Sequence, residues 1–298
     1  MKIGCHVSNK GDLMLLGAVQ EAISYNANSL MVYLGPPQNS RRKPLDQLKI
    51  GEARKLANEH QISFDNLIIH APYIVNLAQD NEEKRRFAVE FIISEVNKAG
   101  IIGAKSYVFH PGNHLQLHPT RGLENIANSI KEILIATTES NVNLLAETMS
   151  GKGSECCYLF PETGALLKAV DNPRLKVCFD TCHVHDAGYD LVNNYDGVFA
   201  IFDQEIGLEN LSLLHVNDSK NETGSHKDRH ENIGYGKIGF DILLKVVEDK
   251  RFSNIVKILE TPYIKVGDKE YPPYKEEIAM FRNREFNDFI SKMKERMN

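Results

Sequence analysis

Two short segments hold residues that could bind metal ions. In Phe179-Asp180-Thr181-Cys182-His183 a carboxylate and an imidazole are three residues apart, and in Lys227-Asp228-Arg229-His230 they stand at i and i+2. An extended backbone would put Asp228 and His230 on one side, where they could chelate a single ion. Asp180 and His183, where a strand turns into its loop, could enter one pocket while serving different ions. Imidazole and carboxylate without thiolate suit Zn2+ in a hydrolytic site, although Mn2+ or Fe2+ could occupy similar ligands.

Residues of the same kind close a series of apolar, β-branched runs: Cys5-His6, His70, His110, Glu147, Asp180, His215 and Glu260. The runs cover 2–7, 30–34, 67–70, 106–110, 143–147, 175–180, 211–216 and 255–260, with helical periodicity between them. Two of the intervening helices are expected over 45–57 and 82–100, the second closed by Gly100 just past its end. Eight βα units in 298 residues match a (β/α)8 TIM barrel. An open doubly wound sheet shares the alternation and is the structural alternative. In a parallel barrel the carboxyl ends of all strands meet at one face, so the polar ends would converge. A lone strand-end His is most often a satisfied structural group. Six or seven together point to a shared site, because buried His, Asp and Glu are costly unless paired or metal-bound. No Pro/Ser-rich linker divides the chain, so one domain is expected over 1–298, with the barrel over about 1–262 and a C-terminal helical extension over about 263–298.

Composition bounds the rest. With 42% hydrophobic and 25% charged residues, collagen-like, disordered and disulfide-scaffold classes are excluded. The 35 Lys+Arg against 40 Asp+Glu leave a net charge of −5, which at first sight argues against a phosphate-rich partner. No apolar run is long enough for a membrane helix, and five cysteines without a Cys-x-x-Cys pair suit a reducing, cytoplasmic setting. Gly234-Tyr235-Gly236-Lys237-Ile238-Gly239 spells a dinucleotide fingerprint but follows a polar stretch, so a supple loop beside the metal site is expected there. Gly151-Lys152-Gly153-Ser154 lacks the spacing of a phosphate-binding loop. His114 and His118 are expected to be solvated or substrate-facing, and His60 and His226 to lie at the surface. His185 has either a supporting role or none.

The blocks Gly4-Cys5-His6-Val7-Ser8, Pro37-Gln38-Asn39-Ser40-Arg41-Arg42-Lys43, His70-Ala71-Pro72-Tyr73, His110-Pro111-Gly112, Phe179-Asp180-Thr181-Cys182-His183, His215-Val216-Asn217-Asp218-Ser219-Lys220, Lys227-Asp228-Arg229-His230 and Leu259-Glu260-Thr261-Pro262 together resemble bacterial endonuclease IV. The resemblance runs in family order to Pro273-Tyr274-Lys275-Glu276-Glu277. It implies a TIM barrel with three zinc ions, a hydrolase that cuts double-stranded DNA 5′ to an abasic site and leaves a 3′-hydroxyl and a 5′-deoxyribose phosphate. Cleaning of damaged 3′ ends would be a second activity. Carried over motif by motif, His70, His110 and Glu147 would hold one zinc, and Glu147 would bridge to a second completed by Asp180, His215 and Glu260. His183, Asp228 and His230 would hold the third. The family's usual Gly-Gly shortly after His-Val-Ser is Lys10-Gly11-Asp12 here, and the usual Leu beside the tyrosine is Ile74. A wedge into the duplex needs only an apolar side chain, so Ile74 keeps that role.

Metal coordination brings the pKa of water from about 15.7 toward 7, so no Ser or His nucleophile is required. Glu147 and Glu260 would orient that water and accept its proton. An abasic sugar is swung out at low cost because no base pair is lost. Tyr73 and Ile74, with Arg41 or Arg42, would fill the gap, and Lys220 and Arg229 would meet phosphates. No membrane and no obligatory protein partner is expected, and the chain would act as a monomer. Four of the acids are proposed ligands, and three Zn2+ would move the formal charge from −5 to about +1. A metal-dependent ketose isomerase is the leading alternative, though nine ligands are too many for it. A non-catalytic, metal-carrying DNA-damage binding module is another.

Overall fold

The computed structural model describes residues 1–297. Eight parallel strands close into a barrel: β1 Ile3–His6, β2 Ser29–Val32, β3 Leu67–His70, β4 Ser106–Phe109, β5 Asn143–Glu147, β6 Leu175–Asp180, β7 Leu211–His215 and β8 Val256–Leu259. Each pairs with its neighbour in sequence, and β8 returns to pair with β1, so no edge is left open. The closed sheet excludes the doubly wound alternative. Helices between and after the strands are α1 Met14–Ser24, α2 Ile50–Glu59, α3 Glu82–Ile102, α4 Pro119–Ala136, α5 Phe160–Val170, α6 Thr181–Asp186, α7 Tyr195–Glu205, α8 Phe240–Glu248, α9 Tyr274–Asn283 and α10 Phe289–Met297.

The pleat divides the core in two. Met31, Ile68, Val108, Leu145, Cys178, Leu213, Val256 and Ile258 form a buried cluster of their own that fills the barrel. Their neighbours on the strands, such as Leu30, Ile69, Leu144, Phe179 and Leu214, face the helices in a larger cluster. Gly4 is required where β1 lies beside β2, in register with Ser29, since a β-carbon there would lie 1.7 Å from the Ser29 carbonyl oxygen.

Helix limits differ from expectation in two places. Lys49, in the left-handed region at φ 54°, splits 45–57 into a single 3-10 turn, Leu45–Leu48, and α2. Gly100 lies inside α3, and Gly103 ends it instead: its φ of 98° needs no β-carbon, and its N–H reaches the carbonyls of Ala99 and Gly100. Beyond residue 262 an antiparallel pair, Ile264–Val266 with Lys269–Tyr271, precedes α9 and α10. Among the described residues no helix is long and apolar enough to cross a membrane.

Candidate metal centre

Strand periodicity builds most of the centre. His70, His110, Glu147, Asp180, His215 and Glu260 each come two residues after an interior residue of their strand, namely Ile68, Val108, Leu145, Cys178, Leu213 and Ile258. A period of two therefore turns all six toward the barrel axis, one layer above the apolar plug. His183 is delivered by α6, whose first turn is capped by Asp180 accepting the His183 N–H at 2.9 Å. His230 sits on a two-residue ribbon, Asp218–Ser219 paired with His230–Glu231. Asp228 reaches the site with φ 53°, so the i and i+2 pair converges through a left-handed residue and not through extended backbone.

Three of the resulting groups hold only imidazoles and carboxylates, each with its ligand atoms within 4.8 Å of one another: His70, His110 and Glu147; Glu147, Asp180, His215 and Glu260; and His183, Asp228 and His230. Glu147 joins the first two. Its Oε2 lies 3.2 Å from His70 Nε2 and 3.3 Å from His110 Nε2, and its Oε1 is 3.0 Å from His215 Nδ1. His215 Nδ1 is equally 3.0 Å from Glu260 Oε2.

The imidazole orientations fit these groups to divalent cations. His70 Nδ1 meets the Ala71 carbonyl at 2.7 Å, His183 Nδ1 the Thr148 carbonyl at 2.9 Å, and His230 Nδ1 the Glu260 carbonyl at 3.2 Å. A carbonyl only accepts, so each Nδ1 carries a proton, and with the ring neutral, as a metal ligand must be, each Nε2 presents a lone pair. Those lone pairs face carboxylate oxygens: His70 toward Glu147, and His183 toward Asp228 at 3.2 Å. Buried His230 Nε2 has no hydrogen-bond partner and lies 3.7 Å from both Asp180 Oδ2 and Asp228 Oδ1. A neutral Nε2 opposite a carboxylate leaves a place that a cation would fill, and imidazoles anchored in this way are the usual support of a metal site. Burial pushes the Glu147 and Glu260 carboxyls up, but neighbouring imidazoles, His215 foremost, outweigh it and hold both well below the ordinary value. Cys178 also lies near Glu147 and His215, and burial pushes its thiol up to about 12.

A cavity of about 310 Å3 opens over the cluster, lined also by Tyr33, Tyr73, Arg229 and Pro262. Tyr73 stands 64% exposed at its rim, its hydroxyl 3.0 Å from that of Tyr33. Ile74 is half-buried against the core, and Arg41, Lys220 and Arg229 are exposed. Arg42 is not free for a partner. Its guanidinium pairs with buried Glu95 at 2.5 Å and binds the carbonyls of Asn39 and Arg41, tying the loop after β2 to α3. His6 lies outside the three ligand groups and lines a neighbouring cavity of about 520 Å3.

Comparison with known proteins bears on the same residues. A family described as "Xylose isomerase-like TIM barrel" matches residues 19–284. A probable endonuclease 4 of Acholeplasma laidlawii is 48% identical, covering 96% of each chain, and one of Bacillus subtilis is 46% identical, covering 97% of each. The chain belongs to the endonuclease IV family. The crystal structure of endonuclease IV from Thermus thermophilus superposes with a TM-score of 0.81 at 28% identity, covering 95% of this chain and 98% of that one. A D-tagatose 3-epimerase-like protein, 17% identical with a TM-score of 0.69 and covering 95% and 99%, shares the fold.

This endonuclease IV family member also uses residues that sequence reasoning passed over. The Asn217 amide donates to Asp180 Oδ2 at 2.7 Å and lies 3.4 Å from Glu260 Oε2, holding two carboxylates together. Asn217 follows His215 by two, so alternation was the available signal. Tyr33, two after interior Met31, carried the same signal. Thr148 accepts the Asp180 N–H at 3.0 Å, a contact with no sequence signature. The glycine loop 234–239 is not supple: buried Asp218 accepts N–H groups of Gly234, Gly236, Ile238 and Gly239. His118 caps α4, His114 binds the Leu117 carbonyl, and neither joins the centre.

Proposed function

We propose that the chain is a zinc-dependent endonuclease of DNA repair that hydrolyses the phosphodiester 5′ to abasic sites in duplex DNA, with 3′-end cleaning as a second activity. His70, His110 and Glu147 would hold one ion, Glu147, Asp180, His215 and Glu260 a second, and His183, Asp228 and His230 a third. The observation that carries this reading is the set of imidazoles fixed through Nδ1 to backbone carbonyls, with Nε2 turned toward the carboxylates of Glu147, Asp228 and Asp180. Bound divalent ions supply Lewis acidity toward a phosphoryl oxygen and bring the pKa of water toward about 7.

The remaining work falls to the chain's own residues. Glu260 is the proton acceptor, since its side chain is 16% exposed toward the cavity while Glu147 is 1% exposed and enclosed by imidazoles. Arg229, on the cavity wall, and exposed Lys220 contact phosphates. Tyr73, protruding at the rim, fills the space left by the extruded sugar, with Ile74 behind it and Arg41 on the adjoining loop. The Tyr33 hydroxyl steadies Tyr73 at 3.0 Å. A cavity of about 310 Å3 suits a sugar-phosphate without its base. The chain is expected to act as a monomer in the cytoplasm.

The test is a duplex carrying a synthetic abasic analogue, incubated with zinc-loaded protein. A nick 5′ to the lesion with a 3′-hydroxyl end is expected, lost in Glu260→Gln with the fold intact. A β-elimination product on the 3′ side would overturn the proposal.

A further inference from the structure

The residues after His183 in α6 grip the loop that delivers Asp228. Asp186 Oδ2 accepts the Asp228 main-chain N–H at 2.9 Å and the Asn221 amide at 3.2 Å, while Oδ1 accepts the Ser219 hydroxyl at 2.6 Å. Beside it, His185 Nε2 meets the Asn221 carbonyl at 3.1 Å and so carries the proton, leaving Nδ1 to face the Thr223 hydroxyl at 3.4 Å. The main-chain carbonyls of the same two residues accept the N–H groups of Gly224 and His226, each at 3.0 Å. Both side chains are fully buried.

This grip answers a conformational problem. Between the paired residues Ser219 and His230 the chain has no secondary structure of its own, and Asp228 takes φ 53°, a region disfavoured for any residue with a β-carbon. A loop tethered only at its base would spread over many conformations, with Asp228 away from His183 in most of them. One six-residue helix carries His183 to the metal centre and fixes the partner loop through the next residues, so His183 and Asp228 share a single frame.

We propose that Asp186, assisted by His185, is a positioning residue that closes the 219–228 loop and places Asp228 for the ion shared with His183 and His230; this rests on the metal reading above. Asp186→Ala removes the acceptor. Asp186→Asn keeps an amide oxygen for the Asp228 N–H and turns its NH2 toward the Ser219 oxygen, so it should rescue.

Two readouts decide. In metal-free protein, hydrogen exchange of amides 221–228 should speed up about 10-fold or more in Asp186→Ala. In zinc-loaded protein, one ion of the set should be stripped at about 10- to 100-fold lower chelator concentration while the others are retained. Asp186→Asn should lie near wild type in both. Asn221→Ala, which leaves α6 untouched, should shift both in the same direction by less and serves if Asp186→Ala does not fold. Unchanged exchange, simultaneous loss of all ions, or an Asn variant as impaired as the Ala variant would overturn the proposal. His183→Ala separates the two levels: if it retains the full metal complement, the metal reading has failed and the placing of a ligand falls with it. If His183→Ala loses one ion while Asp186→Ala holds all with wild-type affinity, only the role of Asp186 is refuted.

Discussion

Asp218→Asn is predicted to be among the costliest isosteric changes in the chain. The carboxylate is buried, and its oxygens accept five main-chain N–H groups: Ser219 at 2.9 Å, Gly234, Gly236 and Ile238 at 3.0 Å, and Gly239 at 3.3 Å. An asparagine keeps one acceptor and points an NH2 group at the donors on the other side. At least two buried N–H groups then lose their partner, each worth about 1–3 kcal/mol, for a total of about 2–6 kcal/mol. Removing a buried charge offsets part of this, which favours the lower half of the range. For a chain of 298 residues that corresponds to a melting temperature lower by roughly 3–10 °C. Urea unfolding of metal-free protein measures the effect without a contribution from bound ions. Gly236→Ala should behave alike, since its β-carbon would lie 2.4 Å from the Ser219 carbonyl oxygen and 2.5 Å from Asp218 Oδ1. Wild-type stability in Asp218→Asn would refute the idea that this carboxylate holds the 234–239 loop.

Glu277 is buried on α9, takes hydrogen bonds from Thr261, Asn232 and Ile233, and burial raises its carboxyl to about 7. The folded state therefore binds an extra proton between about pH 4.5 and 7: the stabilisation is complete below that window and is lost as pH rises through it. Glu277→Gln should flatten the pH dependence of metal-free unfolding there by about 3 kcal/mol, and an unchanged profile would contradict the assignment. Arg42→Ala strands the buried Glu95 charge and should cost about 3–5 kcal/mol in urea unfolding. Arg41→Ala should leave stability within about 0.5 kcal/mol and lower the salt dependence of DNA binding by about one phosphate contact. Equal effects of the two substitutions would remove the distinction. Chelation should weaken binding to an abasic duplex as well as abolish cleavage, because four converging carboxylates then meet the phosphates uncompensated; fluorescence anisotropy with and without restored zinc checks this.

The barrel and the cluster of candidate ligands were readable in the sequence for the same reason. Each ligand strand places its interior residue two positions before its ligand, as Leu145 does before Glu147, so one pattern of alternation announces both strand and site. Where distant partners decide, the pattern carries nothing. Arg42 reads like Arg41 until the fold brings Glu95 beside it, and Asp186 reads as a helix-end acid until the 219–228 loop returns to it. Asp228 and His230, paired by their spacing in the sequence, do converge with His183, yet the backbone at Asp228 is left-handed and not extended. Gly100 and Gly103 are likewise indistinguishable by type. Only the positive φ at Gly103 marks the helix end.

The central claim is that nine side chains in three groups hold three zinc ions at the carboxyl ends of the strands. Anomalous scattering from crystals at the zinc absorption edge tests it most directly. The account predicts three peaks: one among His70, His110 and Glu147, one among Glu147, Asp180, His215 and Glu260, and one among His183, Asp228 and His230. A single peak, or none in zinc-replete protein, would contradict it.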